Sequence, residues 1–375
     1  MMTHAILQRR LAINGCAIPT EDVAMRVLIA TDAWHPQVNG VVRTLTALAD
    51  SANRLGVEVE FLTPEGFPSV PLPTYPGLRL ALPPRREIAR RIDEVKPDAI
   101  HIATEGPIGQ RARAYCRARG RPFTTSYTTR FPEYIAARAP IPQAWVYAAL
   151  RRFHAAATVT MVATRSLMSE LRQRGFGNLG MWTRGVDTDL FRPDRAIELG
   201  FARPIFVTVG RLAVEKNVEA FLALDLPGTK VVVGSGPQEQ ELRRRFPQAR
   251  FLGLLEHGAL AAHLAAADVF VFPSRTDTFG VVQLEALASG VPIAAFPVTG
   301  PKDLIADKPI GVLNEDLRVA CLQALGISRA ACRAFALSRS WDYSARQFVG
   351  HVQKVTAAGY HKRGLSLGMT ATARG

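Results

Sequence analysis

The sequence predicts an α/β protein of two doubly wound domains, each a parallel sheet covered by helices, facing one another across a cleft. Short β-rich runs alternate with helical stretches along almost the whole chain, the pattern of successive βαβ units. The series begins near residue 25 and restarts after residue 193. The length, 375 residues, exceeds one ordinary core and suits two domains of roughly 150 to 200 residues.

In the first domain, residues 25–193, strands are expected over Arg26–Thr31, Val57–Leu62, Asp98–Ala103, Phe123–Tyr127 and Val159–Ala163. Helices are expected over Val41–Leu55, Arg86–Val95 and Ile108–Arg119. The chain passes to the second domain, residues 194–340, near Phe191-Arg192-Pro193. There the strands are Ile205–Val209, Lys230–Val233, Arg250–Leu252, Val269–Phe272 and Pro292–Phe296. Helices lie near Val218–Leu224, Gln238–Arg245, Leu260–Ala267 and Val281–Ser289. Residues 1–24 read as a disordered extension with too poor an apolar stretch for a secretory signal, and 359–375 as a tail. In such sheets ligands bind beyond the carboxyl ends of the strands, so function is sought in the loops that follow them.

Composition narrows the partners. With 48% hydrophobic and 21% charged residues the chain is globular rather than disordered. The net charge of +14 points to an anionic ligand or surface. Residues 25–193 hold 23 basic and 14 acidic side chains, whereas 194–340 hold 16 and 15, so the excess sits in the first domain. Cys16, Cys116, Cys321 and Cys332 form no C-x-x-C pair, which suggests reduced thiols in a cytoplasmic protein. The most apolar stretch, Ala144–Thr164, carries Arg151, Arg152 and His154 and is not a membrane span.

Three loops carry chemistry. The first strand runs into Asp32-Ala-Trp-His35-Pro-Gln-Val-Asn39-Gly40, and a glycine at a helix start lets a ligand approach free N–H groups. Taken alone, Asn39-Gly40 is a turn signal. His35 is a loop histidine open to either a ligand contact or a packing role, and Glu105, after the third strand, also faces the cleft. The second domain opens with Gly210-Arg211-Leu-Ala-Val-Glu-Lys216, two cations able to neutralise a diphosphate, or else two surface charges. The strongest segment is Phe272-Pro-Ser-Arg-Thr-Asp277-Thr-Phe279-Gly280-Val281-Val-Gln-Leu-Glu285. A carboxylate in the loop, another one turn into the helix and backbone donors between them suit a polyhydroxylated ligand carrying phosphate. Asp187-Thr188-Asp189 spells D-x-D but sits at the expected hinge, so no metal is expected there.

At these residues the chain resembles the retaining, nucleotide-sugar-dependent glycosyltransferases of the two-domain GT-B class, family 4, over about Met25 to Gln353. The resemblance implies two Rossmann-like domains and a last helix, near Trp341 and bounded at 358, that crosses back to the first. It implies that Asp277 faces the transferred sugar, Glu285 the ribose, and that Phe279, Gly280 and Val281 offer N–H groups to the phosphates. Arg211 and Lys216 would hold the diphosphate, and Gly40 would close on the donor. Asp277 stands where the family usually has Glu, and Thr128 where it has a sugar-facing histidine.

Within the family, the stretches around His35 to Thr44, Ala103 to Gly109 and Arg130 to Tyr134 look like the branch that glycosylates lipids. The expectation is a metal-independent hexosyltransferase, without cofactor, moving glucose, glucuronate or mannose from a UDP- or GDP-sugar to a lipid acceptor such as diacylglycerol. It would work at the inner face of the cell membrane as a peripheral protein, with Trp145 to Phe153, where aromatics lie beside cations, as a contact or as an ordinary packed helix. A soluble acceptor and a nucleotide-sugar epimerase are the enzymatic alternatives. A nucleic-acid-binding protein is the other class, but the stacking aromatics it needs are not visible.

Overall fold

The computed structural model describes residues 25–35, 40–72, 75–136 and 139–368. The expected extension over 1–24, Asn39 and the last residues of the expected tail, 369–375, lie outside them.

Strands that must be covered on both faces are apolar on both. In β1 (Met25–Ala30), Val27, Leu28, Ile29 and Ala30 are all buried, which places it inside a sheet rather than at an edge. It pairs in parallel with β2 (Val57–Leu62) on one side. An antiparallel hairpin, β3 (Ser69–Leu72) and β4 (Tyr75–Ala81), stands apart. β5 (Ala99–Ile102) flanks β1 on the other side, followed by β6 (Thr124–Ser126), β7 (Val159–Val162) and β8 (Leu179–Met181), giving a six-stranded sheet in the order β2-β1-β5-β6-β7-β8.

The second sheet repeats the plan. It is built from β9 (Ile205–Val209), β10 (Thr229–Val233), β11 (Arg250–Gly253), β12 (Val269–Phe272), β13 (Ile293–Ala295) and β14 (Gly311–Leu313), in the order β11-β10-β9-β12-β13-β14. Both sheets reverse their strand order once, between β1 and β5 and between β9 and β12. Beyond the carboxyl ends of those four strands lie the crevices where doubly wound sheets take ligands.

The last helix, Trp341–Gly368, packs on the first sheet. Its Ala345, Phe348 and Val352 share a core with Val27, Ile29, Leu45, Leu48 and Trp182. Polar bonds fix its rotation: Trp182 donates to Ser344 (3.1 Å), the Thr183 N–H to Gln347 (2.9 Å), and His351 Nε2 meets the Met181 carbonyl oxygen (2.9 Å). Beneath it, burial pushes His101 down to about 3, so this imidazole is neutral between Thr124 and Ser126.

The structure adds to the expected elements. β8, β14, the hairpin and the helices Leu317–Ala324 and Arg329–Leu337 were not expected, and the final helix runs to Gly368 rather than ending at 358. Both added sheet strands are three residues long, too short to show a period, and each contains a glycine that reads as a turn. Those glycines serve close approach instead. A Cβ on Gly180 would sit 2.7 Å from the His351 ring, and one on Gly311 2.5 Å from the Ile293 carbonyl oxygen.

Phe348→Ala is expected to cost about 3–5 kcal/mol, because its ring is wholly buried between two layers. Arg54→Ala removes a half-exposed ion pair with Asp342 at 2.6 Å and a hydrogen bond to Ser51 at 2.8 Å, and should cost about 1 kcal/mol. A urea titration followed by circular dichroism compares the two.

Candidate active site

The second domain assembles its loops by lacing one to the next. After β9 a single turn, Val214–Lys216, ends at Asn217, which adopts a left-handed backbone (φ 52°) and donates its side-chain amide to the Pro273 carbonyl (3.1 Å). Ser274 and Thr276, after β12, both donate to the Glu215 carbonyl, at 3.0 and 3.3 Å. Holding residues 215 and 274–276 together sets Lys216 Nζ against both oxygens of Asp277, at 2.5 and 2.8 Å. The two charges sought from sequence in separate loops are thus one ion pair. Arg211 follows Gly210 at the end of β9 and is half-buried.

Gly280 is required twice over. Its φ of 78° is left-handed, and a Cβ there would lie 2.6 Å from the Phe272 ring. The turn buries Phe279, whose carbonyl accepts from Gln283 (2.6 Å). The helix Val282–Ala288 starts one residue later than expected, with Val281 as its cap. Its ladder opens with Gln283 N–H to the Gly280 carbonyl (3.0 Å), so the N–H groups of Gly280, Val281 and Val282 precede it and point from the helix start. Glu285 lies in this helix, 5% exposed.

From the first domain, Gly40 begins the helix Gly40–Arg54 at an exposed position with open space where a Cβ would stand. One turn on, Arg43 reaches across the cleft to Glu285, its Nη1 at 3.3 and 3.5 Å from the two carboxylate oxygens. Burial pushes the Glu285 carboxyl above the usual carboxylate range, and Arg43 pulls it back. Thr278 donates to the Thr128 carbonyl (2.9 Å), a second bridge, and the Ser166 N–H donates to Asp303 (2.8 Å), a third. These three contacts bring the two sheets' loops together.

Not every expected residue lines the gap. His35 is exposed in the loop after β1, its ring edge against Trp34. The Thr128 hydroxyl is half-buried and only 3.5 Å from the Ala103 carbonyl, and the residue's main role here is the backbone bridge. Glu105 is the correction: its side chain is buried and turned inward, where Oε1 meets His154 Nε2 at 3.0 Å, and His154 Nδ1 meets Thr125 at 2.9 Å. A buried imidazole at the end of the helix Gln143–His154, bonded to β6, captured it, a partner 49 residues away that no local pattern reveals. Asp187 of the D-x-D segment accepts the N–H groups of Asp189 and Leu190 as a turn cap, at 3.0 and 2.9 Å.

Sequence reasoning assigned no role to Arg43, Thr278 or the Ser166–Asp303 pair. Arg43 does carry a signal. A cation in the first turn of a helix opposes the helix dipole and needs an anion nearby.

Residues 38–190 match the family described as Glycosyltransferase Family 4, and residues 203–325 match Glycosyl transferases group 1. A GDP-mannose-dependent alpha-mannosyltransferase of Mycolicibacterium smegmatis is 31% identical over 88% of this chain and 98% of its own length. The chain belongs to glycosyltransferase family 4. An alpha-monoglucosyldiacylglycerol synthase of Acholeplasma laidlawii is 25% identical over 72% of this chain and 79% of its own. The sucrose-phosphate synthase of Thermosynechococcus elongatus shares the GT-B fold, with a TM-score of 0.72 at 19% identity over 89% of this chain and all of its own. This family 4 protein is therefore a hexosyltransferase with two Rossmann-like domains.

Gly280→Ala is expected to destabilise this glycosyltransferase by more than Gly200→Ala. The latter meets only left-handed strain, about 1–2 kcal/mol, in open space, whereas Gly280→Ala adds a clash with Phe272. Thermal melts of the two variants test the difference.

Proposed function

We propose that the protein transfers a hexose of the glucose, glucuronate or mannose type from a UDP- or GDP-sugar to the hydroxyl of a lipid such as diacylglycerol, with retention at the anomeric carbon. The observation that carries this reading is the Lys216–Asp277 pair beside the start of the helix holding Glu285, at the reversal point of the second sheet. A donor laid along it meets, in order, carboxylate, backbone N–H groups and carboxylate, matching sugar hydroxyls, diphosphate and ribose hydroxyls.

Chemistry follows from what this chain presents. Lys216 neutralises Asp277. With donor in place the sugar hydroxyls donate to Asp277, and Lys216, Arg211 and the helix start stabilise the charge growing on the departing diphosphate. The bond from the anomeric carbon to the phosphate oxygen breaks, the acceptor oxygen bonds to that carbon from the same face, and the leaving phosphate takes the acceptor proton. Closing the two domains keeps water from competing as acceptor. Charge neutralisation by these side chains supports a reaction without metal.

The lipid acceptor draws support from the relative named for diacylglycerol and from the helix Gln143–His154. Its inward face is packed by Tyr147, Leu150 and Phe153, while Trp145 is 72% exposed and the exposed Arg152, two turns on, shares its side of the helix. Aromatic and cationic groups on one outer face suit the interface of an anionic bilayer. Among the described residues no helix is long and apolar enough to cross one.

The test is incubation with vesicles containing diacylglycerol and phosphatidylglycerol and a panel of UDP- and GDP-sugars, followed by mass analysis of the lipid. A glycosylated lipid is expected, with Lys216→Ala and Asp277→Ala each lowering kcat about 10²- to 10³-fold. Full activity in both variants would remove this site from the reaction, and sugar conversion without any acceptor would identify an epimerase. Vesicle binding should weaken as salt rises and weaken further in Trp145→Ser.

A further inference from the structure

We infer that Arg43 is a donor-positioning residue: it pairs with Glu285 across the cleft and keeps it aimed at the nucleotide ribose, so that the ribose site is complete only when both domains contribute. The inference rests on the reading above, in which Glu285 takes the ribose hydroxyls.

Position comes first. Arg43 lies in the first turn of the helix Gly40–Arg54, where a cation opposes the helix dipole unless an anion answers it. The answering group is 242 residues away, in the other domain. Glu285 is in turn a buried carboxylate, and the cation paired with it is Arg43. Each side chain is poorly placed without the other, which a chance surface contact would not produce.

Geometry then separates positioning from a simple latch. A charge-assisted N–H···O bond ordinarily spans about 2.7–2.9 Å. Here one nitrogen sits at 3.3 and 3.5 Å from the two oxygens, nearly equidistant, so it makes one long hydrogen bond to each and leaves each oxygen a further lone pair. Both oxygens keep capacity for the two ribose hydroxyls. The Arg43 Nε is buried without a hydrogen-bond partner in this structure, so the guanidinium still has donor capacity beside the donor site.

Electrostatics gives the pair a signature. Burial raises the Glu285 carboxyl, and Arg43 is what lowers it. His257, at the start of the helix His257–Ala266, is a further titratable group that feels this guanidinium, and Asp187, in the hinge segment, acts on His257 in turn. Burial and then Arg43 depress the His257 pKa, while Asp187 raises it. Without Arg43 the Glu285 carboxyl rises further, protonates at higher pH and loses its charge for the ribose hydroxyls. Donor affinity then falls as pH falls through the raised value.

The experiment uses the full chain with Arg43→Met, Arg43→Lys and Glu285→Gln. Binding of UDP and GDP and of their 2′-deoxy forms is measured by calorimetry, and donor KM and kcat are followed from about pH 8 to 6. For the nucleotide that binds, the parent should prefer the ribose form by about tenfold, with a flat donor KM. Arg43→Met should raise donor KM about tenfold with kcat little changed, collapse the ribose preference, and make KM climb as pH falls. Arg43→Lys should recover part of each effect. Unchanged KM, preference and pH profile in Arg43→Met would overturn the proposal. So would a fall in kcat with the ribose preference intact, the mark of a purely structural latch. Glu285→Gln binding both ribose forms as the parent does would show instead that Glu285 does not hold ribose, and the underlying reading of the site would fail with it.

Discussion

Everything at the cleft depends on the chain crossing between domains twice, side by side. It leaves the first domain through residues 183–193 and returns at 339–341, and the two crossings touch. Val186 donates its N–H to the Arg339 carbonyl (2.9 Å), and a Cβ on Gly185 would lie 2.5 Å from the Trp341 nitrogen. On the second domain's side, Arg333 ties this hinge down through the carbonyls of Phe191, Ala288 and Thr188. A single linker would let the domains turn freely. Two segments in contact, with the last helix packed onto the first sheet, tie them together at adjacent points. That constraint keeps the carboxyl ends of β1 and β5 aimed at those of β9 and β12.

The charges of the site are paired within the protein itself. Asp277 has Lys216, and Glu285 has Arg43, so neither carboxylate waits as an uncompensated buried charge, an arrangement that would cost several kcal/mol. The two pairs differ in kind. Lys216 and Asp277 lie within one domain at hydrogen-bond distance and are held by loops laced to each other. Arg43 and Glu285 span the gap more loosely. One pair is therefore built into the second domain, whereas the other reports whether the domains are together. The excess positive charge of the chain sits mostly in the first domain.

Much of this was legible in the residues. Central strands such as Val269–Phe272 are recognisable because burial on both faces demands an unbroken apolar run. The Asp277 to Glu285 loop is recognisable because a carboxylate, a glycine and a helix start in succession have a direct chemical use. Less legible were β8 and β14, where glycines placed for close packing look like turns. Glu105 was misread for a related reason: its position after a strand indicates the cleft, while its direction depends on His154, brought alongside by the sheet.

The sequence by itself determined the two doubly wound domains, the four strand ends that carry loops and the residue types on those loops. These follow from hydrophobic period and local backbone chemistry, which act over a few residues. Only the tertiary structure decided which charges meet. Lys216 and Asp277 are 61 residues apart, Arg43 and Glu285 242, and Thr128 and Thr278 150. Pairing over such distances is set by how sheets stack and how the hinge aligns them, and no periodicity within either segment encodes it.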